Sequence, residues 1–463
     1  MELRKAMRLG VSPRLALVGA GGKTSLLFKL ASEFTPPIIL TASTHLSRTQ
    51  VVPGGLNHFD KHHLINNCDE LMGVETQLKQ GVHLLTGPFD GDRTRGLDIE
   101  CLSWLDRFCR EHHVPLLVEA DGSRTKPIKA PADHEPAIPS FVRQVVVVVG
   151  LSGLGKPLGS EWVHRPEIFC LLTGSESGTS ISMDSIRRYL VHPMGGLKNI
   201  PSNARRICIL NQADNKELVD AAKEIAPFLL EVYDSVVISS LKPGPGFDFQ
   251  SNGEDLQEGF GLQAVHTAYE PVAGIVLAAG ESRRYGQPKQ LLNWKGKPLV
   301  WHSAYTAIQA GLKPVLVVTG AFHREVEQAV AELEVEVLHN PSWKEGQGTS
   351  VSAGVAALPG SVGAAVFFLA DQPHIPLELV NQLVSVHAVS HAPVIVPWVG
   401  NRQANPVLFD RDVFQELRKL SGDVGGRVII AKLDPVKLPW KDPSILFDVD
   451  TPVDYHKLLG ILE

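Results

Sequence analysis

The stretch from Leu277 to Lys289 gathers the residue types that handle a polyphosphate: Gly280, Ser282 and Gly286, with Arg284 and Lys289. Glycines let backbone N–H groups approach phosphate oxygens closely. A guanidinium and an ammonium neutralise a triphosphate that would otherwise repel an incoming phosphate nucleophile. Neither Gly-x-Gly-x-x-Gly nor Gly-Lys-Thr follows this strand, so dinucleotide and Walker spacings are both excluded here. Asp371, in Asp371-Gln-Pro373, follows the apolar run Ala365 to Ala370. A carboxylate at that exit suits magnesium bridging an α-phosphate and a leaving pyrophosphate. A second phosphate loop stands near the other end of the chain, where Arg14-Leu-Ala-Leu-Val18 runs into Gly19-Ala-Gly-Gly-Lys-Thr-Ser25. Gly21 and Gly22 would free amides at a helix N-terminus, Lys23 would reach terminal phosphates, and Thr24 or Ser25 would ligate magnesium. This loop is shortened, because Leu17 stands where the first glycine of the standard motif would be.

The pattern Leu277-Ala-Ala-Gly-x-Ser-x-Arg-x-Gly-x-x-Lys289 resembles the signature of the nucleotidyltransferases that activate sugars, isoprenoid precursors and molybdopterin, and within that group the molybdenum cofactor cytidylyltransferases. Later blocks follow in the family's order. The resemblance implies nucleotide contacts from Leu277, Ala278, Ala279, Gly280, Ser282 and Gly286. It adds Asn340-Pro-x-Trp-x-x-Gly346 and Gly348 to Gly354, with Ser350 expected as a helix N-cap facing the nucleotide and Gly354 as a further nucleotide contact. Catalysis falls to Arg284, Lys289 and Asp371, and the metal to Asp371 and Asp450, the latter chosen by motif position in Phe447-Asp-Val-Asp-Thr-Pro over Asp448. Asn401-Arg-Gln-Ala-Asn-Pro and Gly422-Asp-Val-Gly-Gly-Arg427 belong to the acceptor side, so Arg402, Asn405, Asp423 and Arg427 are expected to grip pterin and phosphate. The family often has His at the position of Asn405. Ala279 resembles the cytidylyl branch, where the guanylyl branch usually carries Gly. The substrates implied are CTP and molybdopterin, with Mg2+. A sugar or polyol phosphate acceptor, and a cofactor-loading scaffold without transferase activity, remain as alternatives.

In the first half, strands ending near Thr44 and His45, and at Glu119 and Asp121, would bring polar groups to one sheet edge. Glu119 or Asp121 suits a magnesium-holding acid. Glu119-Ala-Asp-Gly-Ser-Arg and Lys129-Ala-Pro-Ala-Asp-His-Glu-Pro, with the Gly-Gly-Lys-Thr loop, resemble the selenium-dependent molybdenum hydroxylase accessory family (YqeC-like) over roughly residues 10 to 240. That resemblance implies a pathway, with an apo molybdenum hydroxylase as recipient, but no reaction. Asn211-Gln-Ala-Asp214 follows a further strand. An Asn-Lys-x-Asp turn reads guanine in GTPases, and here Gln212 replaces the lysine; ATP and GTP both stay open.

These residues need scaffolds. Apolar runs at 14–18, 37–41, 114–118, 145–149 and 207–210, and again at 274–279, 315–320, 335–339 and 365–370, read as buried strands. Helical spacing lies between them, which predicts α/β folds throughout. The expectation is a P-loop-type three-layer α/β domain over 1–240, a linker over 241–270 where apolar periodicity stops, and a Rossmann-like (GT-A-like) nucleotidyltransferase domain with a mostly parallel sheet over 271–463. A chain of 463 residues is too long for one ordinary core. Its net charge of -6 and lack of basic runs argue against a nucleic acid partner. No apolar run is long enough to span a bilayer, and no signal peptide is evident, so a cytoplasmic protein is expected. Five cysteines, without Cys-x-x-Cys, give no disulfide framework or zinc site.

Overall fold

The structure is a computed structural model describing residues 1–52, 58–241, 264–282 and 285–461. It divides into two compact units, Met1–Tyr269 and Glu270–Glu463.

The first unit is built on nine strands: β1 (Arg14–Gly19), β2 (Ile38–Ala42), β3 (Lys61–Leu64), β4 (Val82–Thr86), β5 (Leu116–Glu119), β6 (Gln144–Gly150), β7 (Arg205–Asn211), β8 (Ser235–Ser239) and β9 (Val265–Tyr269). Their order is β9-β8-β7-β6-β1-β5-β2-β4-β3. Every neighbouring pair is parallel except β8 and β9. The valine run in β6 shows why both faces are covered. Val145, Val147 and Val149 enter one apolar cluster while Val146 and Val148 enter the other. Helix α1 (Lys23–Ala31) lays Leu26, Leu27 and Leu30 on one face, and the helix Ile99–Glu111 lays Leu102 and Leu105 on the opposite one. The result is a three-layer α/β unit whose parallel strands deliver β1, β5 and β7 to the same edge.

One expectation needs correction. The segment 241–270 was expected to be linker; 242–263 lies outside the described residues, but Val265–Tyr269 is the edge strand β9, antiparallel to β8. Its sequence, Val265-His-Thr-Ala-Tyr269, mixes polar and apolar residues, and the flanking polar sequence hides the strand from periodicity. The polar stretch 121–136 also contains a short strand. Ile128–Lys129 pairs in parallel with Val163–His164, and Lys129 is buried.

The second unit carries β10 (Val272–Ala278), β11 (Val315–Thr319), β12 (Glu336–His339), β13 (Ala364–Leu369), β14 (Val394–Val399), β15 (Arg402–Gln403), β16 (Val407–Asp410) and β17 (Val436–Pro439). The order is β12-β11-β10-β13-β16-β14-β15, with β17 beside β14. β12, β11, β10 and β13 run parallel, as β14 and β17 do, and β16 reverses against both neighbours. Val276, Val366 and Phe368 pack on one face, Ile275, Ala365 and Phe367 on the other. Among the described residues no helix is long and apolar enough to cross a membrane.

On β3 and β4, His63 Nε2 and His83 Nδ1 lie 2.9 Å apart and both rings are buried. Burial, with His83 and Lys61 nearby, holds the His63 imidazole down to about 4. The unfolded chain takes up this proton near 6.5, so stability present above that pH is lost as pH falls from about 6.5 toward 4. The melting temperature should drop over that window, and His63→Gln should flatten the drop. Equal slopes for the two proteins would count against this assignment.

Candidate functional site

In the second unit β10 ends at Ala278, and the chain turns into the glycine loop. A cavity of about 410 Å³ opens there, lined by Leu277, Ala278, Ala279, Gly280, Ser282, Lys289, Ser350, Asp371 and Asp423 from the expected set. The loop is held by a residue not singled out from the sequence. Gln290 is buried; its Nε2 donates to the carbonyls of Gly280 (3.0 Å) and Ala278 (3.5 Å), and its Oε1 accepts from Ser282 Oγ at 3.1 Å. Ser282, at φ +58, accepts in turn from the Lys289 amide at 3.0 Å. One side-chain amide therefore sets the curvature of the loop whose N–H groups would meet phosphate.

Lys289 Nζ lies between two carboxylates. It contacts Asp371 Oδ2, just beyond β13, and Asp450 Oδ1 at 2.8 Å. Burial pulls its pKa down, but Asp371 and Asp450 outweigh burial and hold the ammonium above the ordinary lysine range. Asp448 does not share this contact; its Oδ1 accepts from Gln372 Nε2, and burial raises its carboxyl. The donor set that converges on a positive charge is thus all oxygen, which suits a hard cation. Among the described residues no group of three or more His, Cys, Asp or Glu side chains is arranged to cage a metal.

Ser350 is not an N-cap. Helix α2 (Gln347–Ala356) starts after Gly346, which sits at φ +117, and Ser350 lies in its first turn, buried, accepting from Asn340 Nδ2 at 3.0 Å. Asn340 Nδ2 also donates to Thr349 Oγ1, at 2.9 Å, so this asparagine fixes the helix start. The glycines here permit a close approach. A Cβ at Gly346 would meet the Gly422 carbonyl carbon at 2.2 Å, and one at Gly348 would meet the Val424 oxygen at 2.7 Å. That approach brings Asp423 to the cavity. Gly354 faces inward, where a Cβ would meet Ile275 at 3.0 Å and Val318 at 3.2 Å; it is a helix-to-sheet packing position and does not touch the cavity.

Gly286 is an exposed left-handed turn, and Arg402, Asn405 and Arg427 do not line this cavity. Arg402 is exposed on β15, Asn405 is half-buried, and Arg427 opens the helix Arg427–Lys432. Arg284 lies outside the described residues. The cavity also takes Trp343, Lys344 and Gln347, which were not among the expected contacts. Trp343 stood inside the Asn340-Pro-x-Trp block, so the signal was present.

In the first unit the glycine loop joins β1 to α1, with Gly21 and Gly22 left-handed at φ +82 and +109. Gly21 has no room for a side chain, since a Cβ would lie 2.2 Å from the Gly150 nitrogen. Lys23 is buried; its Nζ donates to the Gly19 carbonyl at 2.6 Å and pairs with Asp121 Oδ1 at 3.1 Å. Asp121 also accepts from the Gly19 amide and pairs with Lys129 at 3.0 Å, which pairs at 3.0 Å with Glu135. Burial opposes ionisation of Glu135, yet Lys129 and Arg165 bring its carboxyl down to about 2. Thr24 Oγ1 donates to Glu119 at 2.9 Å and accepts from Gln50 Nε2 at 2.6 Å. Burial pushes the Glu119 carboxyl up. The two acids therefore divide, Asp121 holding the lysine and Glu119 the hydroxyl. Ser25 is half-buried beside them in α1.

Residues 274–436 match the family model of the MobA-like NTP transferase domain, and residues 15–167 match that of the YqeC protein. The uncharacterized protein YqeC of Escherichia coli (strain K12) is 32% identical over 46% of this chain and 80% of its own length. The purine catabolism protein PucB of Bacillus subtilis (strain 168) is 34% identical over 39% of this chain and 93% of its own. The molybdenum cofactor cytidylyltransferase of Escherichia coli (strain K12) is 26% identical over 39% and 92% respectively. The chain thus belongs to the YqeC family through its first half and to the MobA-like NTP transferase family through its second, which is a nucleotidyltransferase.

Proposed function

We propose that the second unit transfers CMP from CTP to the terminal phosphate of molybdenum-bearing molybdopterin, releasing pyrophosphate and leaving molybdopterin cytosine dinucleotide. The observation that carries this reading is the Lys289 ammonium held between Asp371 and Asp450 beside a glycine-walled cavity. Ala279 and the likeness to a cytidylyltransferase support CTP as the donor.

Asp371 and Asp450 would hold magnesium, which when bound neutralises charge developing on the departing pyrophosphate. Lys289, released from the carboxylates, turns its ammonium to the phosphate oxygens. The amides of the loop after Ala278 face the same oxygens, with Gln290 fixing their direction. An acceptor phosphate oxygen attacks the α-phosphorus in line as the bond to the β-phosphate oxygen breaks. No covalent enzyme intermediate is required, so catalysis is positioning and charge neutralisation. Asp423, with Arg402, Asn405 and Arg427, serves the acceptor. The first unit acts as a nucleotide-binding accessory module, taking ATP or GTP at Gly21 to Ser25 with Glu119 and Asp121 behind the loop, and the product passes to an apo molybdenum hydroxylase in the cytoplasm.

Purified protein given Mg2+ and molybdenum-loaded molybdopterin should release pyrophosphate with CTP and far less with GTP or ATP, and Asp371→Ala should abolish release. Release that needs no pterin, or that survives in the variant, would refute the assignment. Gln290→Ala should raise KM for CTP about tenfold and cost roughly 1–3 kcal/mol of stability, because three hydrogen bonds to the loop disappear. An unchanged KM would remove Gln290 from the positioning role.

A further inference from the structure

The Gly19 to Ser25 loop would contact phosphate and does not by itself distinguish adenine from guanine. We infer that the nucleotide of the first unit is a guanine nucleotide whose base is read by Asp214; this rests on the proposal that the Gly19 to Ser25 loop binds a nucleotide.

β7 ends at Asn211 and β8 at Ser239, and the two strands are parallel with Leu210 opposite Ile238. Their exits therefore emerge side by side, on the same edge as the loop after β1. β7 stands two strands from β1, a separation of about 10 Å, which a nucleoside laid across the sheet edge must bridge.

Asn211 ties the two places together. It is buried, its Nδ2 donates to the Gly21 carbonyl at 2.7 Å, and its Oδ1 accepts from Ser239 Oγ at 3.0 Å. The Ala213 amide donates to the Ser239 carbonyl at 3.0 Å, fixing the turn that follows. The turn is thus pinned to the phosphate loop at one end and to β8 at the other. Gln212, in the left-handed region at φ +60, sends its side chain elsewhere, accepting from Ser152 Oγ at 2.6 Å.

Asp214 is what the turn presents. It is half-buried, and Ser240 Oγ donates to its Oδ1, which orients the carboxylate. Among the described residues its Oδ2 has no hydrogen-bond partner. An ionised carboxylate only accepts. Guanine offers it two adjacent donors, N1–H and the exocyclic N2–H, in a fork that matches its two oxygens. Adenine offers an acceptor at N1 instead, so the same carboxylate repels it. Four side chains from two strand ends, Asn211, Asp214, Ser239 and Ser240, give this arrangement, and none is used in the proposed transferase chemistry.

Full-length protein is titrated with methylanthraniloyl derivatives of GDP, ADP and XDP, with Lys23→Ala to subtract any binding by the second unit. GDP is expected to bind at least about tenfold tighter than ADP in the Lys23-dependent signal. Asp214→Asn, close to isosteric, should weaken GDP about tenfold or more and strengthen XDP, because an amide N–H complements the xanthine 2-carbonyl. Equal affinity for GDP and ADP, or an unaltered base preference in Asp214→Asn, would overturn the guanine assignment while leaving the nucleotide site standing. If no Lys23-dependent binding of either nucleotide is seen, the site fails together with its base.

Discussion

Two carboxylates facing one ammonium is the constraint on which the second unit depends. Asp371 and Asp450 come from distant parts of the chain and would repel each other without a cation between them. Lys289 supplies that cation. Its backbone is tied to Ser282, so the charge balance of the acids and the shape of the phosphate loop are set together. Asp450 is held from behind, because Asp454 accepts from the amides of Asp450 and Thr451 at 3.2 and 2.8 Å in a capping box at the start of the helix Pro452–Leu458. The ammonium offsets one of the two carboxylate charges, and in the proposed mechanism the lysine moves to phosphate when another cation takes its place.

The first unit repeats the device under different burial. Lys23 also rests on an acid beyond a neighbouring strand, but its side chain is 2% exposed against 23% for Lys289. Behind it the pairing continues through Asp121, Lys129, Glu135 and Arg165, so the 121–136 segment is anchored by charge. A buried charge stripped of its partner is costly, and removing one member of this chain exposes the next.

Much of this was legible in sequence for a physical reason. Strands buried on both faces show as continuous apolar runs, and a parallel sheet sends their polar followers to one edge. β1, β5, β6, β10 and β13 were found that way, with Lys23, Glu119, Asp121, Lys289 and Asp371 at their exits. What could not be read were contacts that depend on which segments meet. Gln290 acts through hydrogen bonds to backbone and hydroxyl groups with no spacing of its own, and the spaced block that begins at Asn340 did not show that its amide holds the hydroxyls of Thr349 and Ser350. Gly354 lies in a run of small residues, and only the packing of α2 on β10 and β11 shows that it serves the core. β3 and β9 escaped because edge strands tolerate His, Lys and Thr, which break apolar runs.

The central claim is that Lys289 stands in for a cation that Asp371 and Asp450 are built to hold. Manganese binding, titrated by electron paramagnetic resonance without nucleotide, tests it directly in the parent and in Lys289→Met. With the competing ammonium gone, the variant should bind manganese more tightly than the parent although it can no longer transfer a nucleotide. Equal or weaker binding by the variant would contradict the account.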